Sequence, residues 1–268
     1  SLNITRETLE KVVSLNTKAV ILIHYGGVPA EMDEIAKVCS ARGITLIEDN
    51  ACSPFSQYKE TNTGTLADFG VWSFDSMKIL CCGDGGLIYA KDSNHIEALR
   101  ASLYLGINSQ SGMAEVEGKT RWWEFDVPTL GDRHIMNDIS SAIGLVQLAK
   151  IDQFLQKRKK IHDEYTLRLK DLPLGLPPQI EQHSKSSYYL YWIFSDQRDE
   201  LAAWLKEDGI YTTFRYYPLH DISIYGSHTE CPITEKISDT CLCLPLHQSI
   251  TTEEQEHIVS SIERFYNV

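Results

Sequence analysis

The sequence predicts an α/β fold: a mostly parallel sheet with flanking helices, followed by a small α+β unit. Three observations carry this expectation. Residues 19–25 (AVILIHY) and 44–47 (ITLI) are continuous apolar runs of strand length, the pattern of buried parallel strands. Between them, residues 30–41 are amphipathic, with Met32, Ile35, Ala36, Val38 and Cys39 on one side. Strand, helix and strand thus follow one another within about 30 residues, as in a βαβ unit. After Leu172-Pro173-Leu174-Gly175-Leu176-Pro177-Pro178 the pattern changes to short alternating elements, so these residues read as a linker.

Each element follows from local signals. Residues 5–15 read as a helix. Gly26-Gly27-Val28-Pro29 breaks the first strand, and Gly43 supplies the stop of the next helix. The second strand ends at Glu48-Asp49. Residues 68–74 and 85–90 read as a third and a fourth strand, and residues 93–102 as a helix. Residues 106–130 are irregular and aromatic, with Arg121-Trp122-Trp123. Residues 137–169 then form one long helical pattern, without Pro and with Gly144 alone. Beyond the linker, residues 188–195, 210–215 and 242–244 read as strands and 199–207 and 252–265 as helices. Thr251 is the expected N-cap of the last helix, with Glu254 at capping-box spacing. The expected division is a large domain over 1–170, including the long connecting helix, and a small α+β domain over 171–268.

Composition narrows the function. The 268 residues carry a formal net charge of −12, which argues against non-specific nucleic-acid or anionic-membrane binding. The basic run Lys157-Arg158-Lys159-Lys160 lies in a helical pattern and reads as a solvated face. Seven cysteines without a CxxC pair suit a reducing compartment better than a disulfide framework or a zinc site. No apolar run approaches the roughly 20 residues of a membrane span. The expected location is cytoplasmic, and no metal is expected. The chain opens Ser1-Leu2-Asn3 without a methionine and runs at once into a helix start. It reads as a chain entered partway: an expressed piece, a proteolytic product or half of a split gene.

The candidate chemistry is that of pyridoxal phosphate (PLP). Such an enzyme needs a lysine amine for the cofactor aldehyde, a carboxylate against the pyridine nitrogen, and hydroxyl or N–H donors for the phosphate. In an α/β sheet these groups gather at the carboxyl ends of strands. Asp49 ends one predicted strand. Ser73 and Lys78 flank the end of another, and Gly83-Asp84-Gly85-Gly86 turns the chain onward. Taken alone, Asp49 is equally a helix cap, Lys78 a solvated loop lysine, and GDGG a tight turn rather than a P-loop.

The order and spacing of several motifs resolve this. Ile47-Glu48-Asp49-Asn50-Ala51, then Gly64-Thr65-Leu66-Ala67-Asp68-Phe69-Gly70, SFDSMKIL and GDGG, together resemble the DegT/DnrJ/EryC1/StrS family. Residues 131–148, 210–220 and Leu244-Pro245-Leu246-His247 are similar to later parts of that family, so the resemblance spans the chain. It implies a fold-type I PLP-dependent aminotransferase. Such an enzyme moves an amino group from a donor such as glutamate to a nucleotide-linked keto sugar, in the synthesis of cell-surface polysaccharides or amino sugars. The resemblance implies that Lys78 forms the Schiff base and shuttles protons, Asp49 pairs with the pyridinium nitrogen, and Ser73 binds the phosphate. Arg133 stands where many members place an Asn or Lys that reaches the cofactor of the other subunit in a homodimer. Cys52 stands where they place a Gln, His or Glu near the cofactor's phenolic oxygen. Arg215, His220 and Trp123 are the candidates for substrate contact, with His247 and Trp122 behind them. His24 reads as a structural histidine. The resemblance also implies an upstream segment that supplies further strands and another wall of the pocket. Three alternatives stand beside this reading: a non-catalytic interface module; a sugar dehydratase of the same fold, which carries His in place of the lysine; and a Rossmann dehydrogenase, for which no GxGxxG follows a strand.

Overall fold

The structure is a computed structural model that describes residues 2–107, 127–225 and 230–267. Its first part runs α1 (Arg6–Val12), β1 (Ala19–Ile23), α2 (Met32–Arg42), β2 (Thr45–Asp49), β3 (Gln57–Tyr58), β4 (Thr61–Asn62), β5 (Phe69–Ser73), β6 (Gly86–Ala90) and α3 (Asn94–Leu103). There follow α4 (Asp138–Leu148), α5 (Ile151–Leu169), β7 (Ser184–Lys185), β8 (Tyr191–Phe194), α6 (Arg198–Glu207), α7 (Pro232–Thr240), β9 (Cys241–Leu244) and α8 (Thr252–Phe265).

The main sheet has the order β1-β2-β5-β6. The first three strands are parallel, and β6 returns antiparallel to β5. Asp49 lies beside Ile23 on one side and Val71 on the other, so β2 and β5 end on the same edge of the sheet. The βαβ unit forms as its pattern predicts. Gly43 caps α2 with φ of 62°, a left-handed conformation that glycine adopts without a Cβ penalty. The helix buries Met32, Ile35, Val38 and Cys39 against Leu9, Leu22, Ile44 and Leu46. Each aliphatic side chain fully buried in this way contributes roughly 1.5–3 kcal/mol. A second core joins the later part of α5 (Ile161, Tyr165, Leu169) to β8, β9, α6 and α8. Thr251 accepts the Glu254 amide and Glu254 reaches back to the Thr251 amide, completing the expected capping box. The small sheet β4-β3-β7 fastens the chain near residue 184 to the loop after β2.

Four expectations need correction. The run 19–25 is not a fully buried strand. It ends at Ile23 and lies at the sheet edge, where Leu22 is buried but Ile21 is 69% exposed, because successive side chains face opposite sides. The long pattern over 137–169 is two helices that part at Ala149 and Lys150. The first, α4, buries none of its residues, whereas α5 buries five, so the two turn their faces to different surroundings. Residues 210–215 form no strand: only Thr213 pairs, with Cys243, and the Arg215 carbonyl accepts the Tyr25 hydroxyl instead. The run 157–160 is not wholly solvated, since Arg158 is buried.

Candidate active site

The site is assembled where β2 and β5 end. Glu48, just inside that edge, is fully buried. Its carboxylate accepts the amides of Gly64 (2.7 Å), Leu66 (2.8 Å) and Ala67 (2.8 Å), together with His24 Nε2 (3.0 Å). The Ala30 amide donates to His24 Nδ1 at 3.0 Å, so that nitrogen carries a lone pair and Nε2 carries the proton. His24 is therefore a neutral structural histidine, as its sequence context suggests, and the contact is a hydrogen bond rather than an ion pair. This network ties β2 to the loop 64–67 and holds the neighbouring Asp49 in place.

Asp49 is half-buried. Its Oδ1 accepts the Ala51 amide at 2.9 Å, and among the described residues Oδ2 has no hydrogen-bond partner. Ser73 closes β5, and its hydroxyl oxygen accepts the Asp75 amide at 3.3 Å. Lys78 follows on a tight turn. Asp75 Oδ1 accepts the Met77 amide at 2.9 Å, and the Asp75 carbonyl accepts the Lys78 amide at 3.0 Å. The Met77 amide in particular holds the Asp75 carboxyl below its ordinary range. Ile79 and Leu80 are buried directly behind, so the turn presents Lys78 from a fixed base.

The Lys78 amine lies 5.4 Å from the centroid of the Tyr189 ring. The Tyr189 hydroxyl accepts Arg215 Nη1 at 3.2 Å. Burial pushes the Tyr189 phenol up to about 12. Cys52 is buried against the same tyrosine in a cluster with Ile79, Leu80 and Ile151. Burial raises its thiol pKa; Lys78 and Arg215 lower it and Asp49 raises it, so Cys52 lies within the fields of all three charges. A cavity of about 550 Å³ opens beside Lys78, and Arg158, Tyr189, Arg215 and His247 are on its wall. Three cations line it against a single carboxylate, Glu254, which is engaged in the α8 cap. In a chain of net charge −12 this is a local reversal of sign. Burial first, and then the Arg158 charge, lowers the pKa of His247.

The structure thus brings together the strand end carrying Asp49, the strand end carrying Ser73, and Lys78, Cys52 and Arg215. His220, a candidate for substrate contact, is not on the wall of this cavity. His220 lies in a 3-10 turn with Nε2 3.5 Å from Glu235. Arg133 is exposed, in an isolated bridge with Tyr104. Trp122 and Trp123 lie outside the described residues. Tyr189 and Arg158 are residues that sequence reasoning missed. Arg158 had a signal: with Ile151, Ile161, Tyr165 and Leu169 it falls on the one buried stripe of α5.

The pattern of the DegT/DnrJ/EryC1/StrS aminotransferase family matches residues 1–263. The chain belongs to this family. This aminotransferase is 39% identical over 267 residues to the dTDP-4-dehydro-2,3,6-trideoxy-D-glucose 4-aminotransferase of Saccharopolyspora spinosa, a match covering 98% of this chain and 69% of that protein. It is equally similar to the aminotransferase TlmJ from Streptoalloteichus hindustanus, with 39% identity and a TM-score of 0.91 over 98% of this chain and 70% of that one. The fold is shared with Helicobacter pylori PseC, an aminotransferase involved in the biosynthesis of pseudoaminic acid, at 24% identity and a TM-score of 0.89 over 99% of this chain and 71% of that one. These neighbours confirm the α/β class, and the family is one of PLP-dependent enzymes. The residues present suit that cofactor. An amine stands on a rigid turn, a carboxylate keeps one oxygen open, and a serine hydroxyl retains its proton for donation.

Proposed function

We propose that this aminotransferase uses PLP to move an amino group from an amino-acid donor such as glutamate to a nucleotide-linked keto sugar. The observation that carries the proposal is the placement of Lys78 on the turn after β5, at the edge where Asp49 ends β2, beside a cationic cavity. PLP, when bound, supplies an aldehyde carbon for the amine and a protonated ring that accepts electron density from the substrate carbon. Lys78 would hold the aldehyde carbon and would move a proton to and from the substrate carbon. Asp49, with Oδ2 open, would pair with the ring nitrogen and favour its protonated form. The Ser73 hydroxyl would donate to the phosphate, and Cys52 would stand by the ring with only a weak hydrogen bond to give. Arg215 and Arg158 suit the carboxylate of the amino donor or the diphosphate of the sugar nucleotide. The Saccharopolyspora relative supports a dTDP-linked 4-keto sugar as acceptor.

A homodimer belongs to the same proposal. Ile139, Leu145 and Val146 of α4 are largely exposed, an apolar face that suits a second copy, and the exposed Arg133 nearby suits a phosphate across that interface. Among the described residues no helix is long and apolar enough to cross a membrane, and all seven cysteines are free. Both facts support a cytoplasmic setting.

The test is to add PLP, reduce with borohydride and map the modified peptide. The label is expected on Lys78 and is expected to vanish in Lys78→Ala. Asp49→Asn keeps the Ala51 amide acceptor and therefore the fold, and is expected to slow the amino-donor half-reaction by at least about 100-fold. A label distributed over surface lysines, or an Asp49→Asn half-reaction at the parent rate, refutes the assignment.

A further inference from the structure

We propose that Arg158 is a positioning residue for the active site: from the middle of α5 it fixes the two chain segments that carry Tyr189 and His247, and through Tyr189 it sets where the Lys78 amine stands. The inference rests on the reading of Lys78 as the reactive amine.

Arg158 is only 4% exposed, and among the described residues no carboxylate pairs with it. Its acceptors are the carbonyls of Tyr188 (3.0 Å), Tyr189 (3.3 Å) and Leu246 (3.1 Å) and the side-chain oxygen of Gln248 (3.2 Å). Burying a cation without a counter-charge is expensive, and carbonyls return less Coulomb energy than a carboxylate. Burial accordingly lowers the Arg158 pKa to about 10. What the arrangement achieves is geometric. A carboxylate would satisfy the arginine side chain alone, whereas here one guanidinium gathers four acceptors from two distant stretches of chain, three on Nη1 and one on Nε.

The clamped segment needs such support. Tyr188 has φ of 53°, in the left-handed region, between Ser187 and Tyr189. The same turn is held from its other side. The Ser187 amide donates to Ser56 Oγ at 3.0 Å, and Ser187 Oγ donates to the Cys52 carbonyl at 3.1 Å. Those partners lie in the loop that leaves Asp49. Pinned from behind by α5 and from the front by this loop, the turn has one way to aim Tyr189: its ring toward the Lys78 amine at 5.4 Å and its hydroxyl toward Arg215 at 3.2 Å. The path from Arg158 to Lys78 is thus a run of direct contacts.

Arg158→Lys tests this in the full chain, because lysine keeps the charge but lacks the Nε–H that holds Gln248 and ends one bond short of Nη1, which reaches both segments. Three readouts separate positioning from bulk stability. They are thermal melting, the rate at which trinitrobenzenesulfonate labels Lys78 in cofactor-free protein relative to Lys91 and Lys150 as internal references, and kcat against KM for the amino donor. Arg158→Lys is expected to melt within a few degrees of the parent, to change the relative labelling of Lys78 by about fivefold, and to lower kcat by about tenfold with donor KM changed less than about twofold. Tyr189→Leu is expected to reproduce the labelling change, and the double variant to add nothing further, since both act on one contact. A folded Arg158→Lys with parental labelling and kcat overturns the proposal, as does a fully additive double variant. Should Arg158→Lys not fold, Tyr189→Leu decides: unaltered Lys78 labelling overturns the proposal and altered labelling upholds it. The labelling reagent does not depend on PLP, so a failure of PLP capture would sink the aminotransferase reading separately.

Discussion

Replacing Glu48 by Gln is the most informative single change outside the cavity. The carboxylate accepts four hydrogen bonds, three from backbone amides and one from His24, and both its side chain and that of His24 are fully buried. Glutamine has nearly the same shape, so no cavity forms and the effect is electrostatic. One amide oxygen replaces two acceptor oxygens. If it faces Leu66 and Ala67, the new NH₂ group opposes the Gly64 amide and His24 Nε2–H. If it is flipped, the Leu66 and Ala67 amides are opposed instead. Either orientation strands two buried donors, at about 1–3 kcal/mol each. His24 cannot relieve the clash by moving its proton, because Nδ1 is occupied by the Ala30 amide. The expected loss is therefore about 2–6 kcal/mol, read as a lower urea midpoint at unchanged slope. A loss below about 1 kcal/mol would refute the network as drawn. An unchanged midpoint in Glu48→Gln accompanied by a loss in His24→Gln would place the burden on the histidine instead.

Two further outcomes follow from packing and charge. A Cβ added to Gly70 would stand 1.9 Å from the Gly64 carbonyl oxygen, a backbone atom that cannot swing aside, so Gly70→Ala should cost at least about 3 kcal/mol in the same unfolding assay. A substitution tolerated within about 0.5 kcal/mol would show that the loop 64–67 does not press on β5. His162 is half-buried between the Tyr188 and Tyr191 rings, and this partial burial lowers its pKa. The unfolded chain then takes up the proton first, near pH 6.5, so the stability His162 contributes is present above that pH and is lost as pH falls below it. The melting temperature should drop between about pH 7.5 and pH 5, and His162→Gln should flatten that drop. Parallel slopes for parent and variant would contradict it.

The strength of the sequence signal tracked the range over which each feature is encoded. The α2 stop at Gly43, the Thr251–Glu254 cap and the turn bearing Lys78 are each contained in a few neighbouring residues, and all three stand where the letters place them. That Asp49 and Ser73 stand at one edge of the sheet was legible because paired parallel strands present their carboxyl ends on a common side. That His220 lies off the cavity wall was not legible, because how an irregular segment folds back is encoded in no local pattern.

By itself the sequence determined the order and type of most elements, and the residues at the ends of β2 and β5, since hydrophobic periodicity and capping chemistry act over a few residues. Only the tertiary structure decided which faces are covered. Ile21 and Leu22 are neighbours of equal apolarity, yet one is exposed and the other buried, because a strand's two faces meet different partners. Arg158 and Lys159 are adjacent cations, yet one is enclosed by carbonyls 30 and 88 residues away in sequence while the other pairs with Asp163 at the surface. Burial is set by what packs alongside, and that is a property of distant segments rather than of the residue itself.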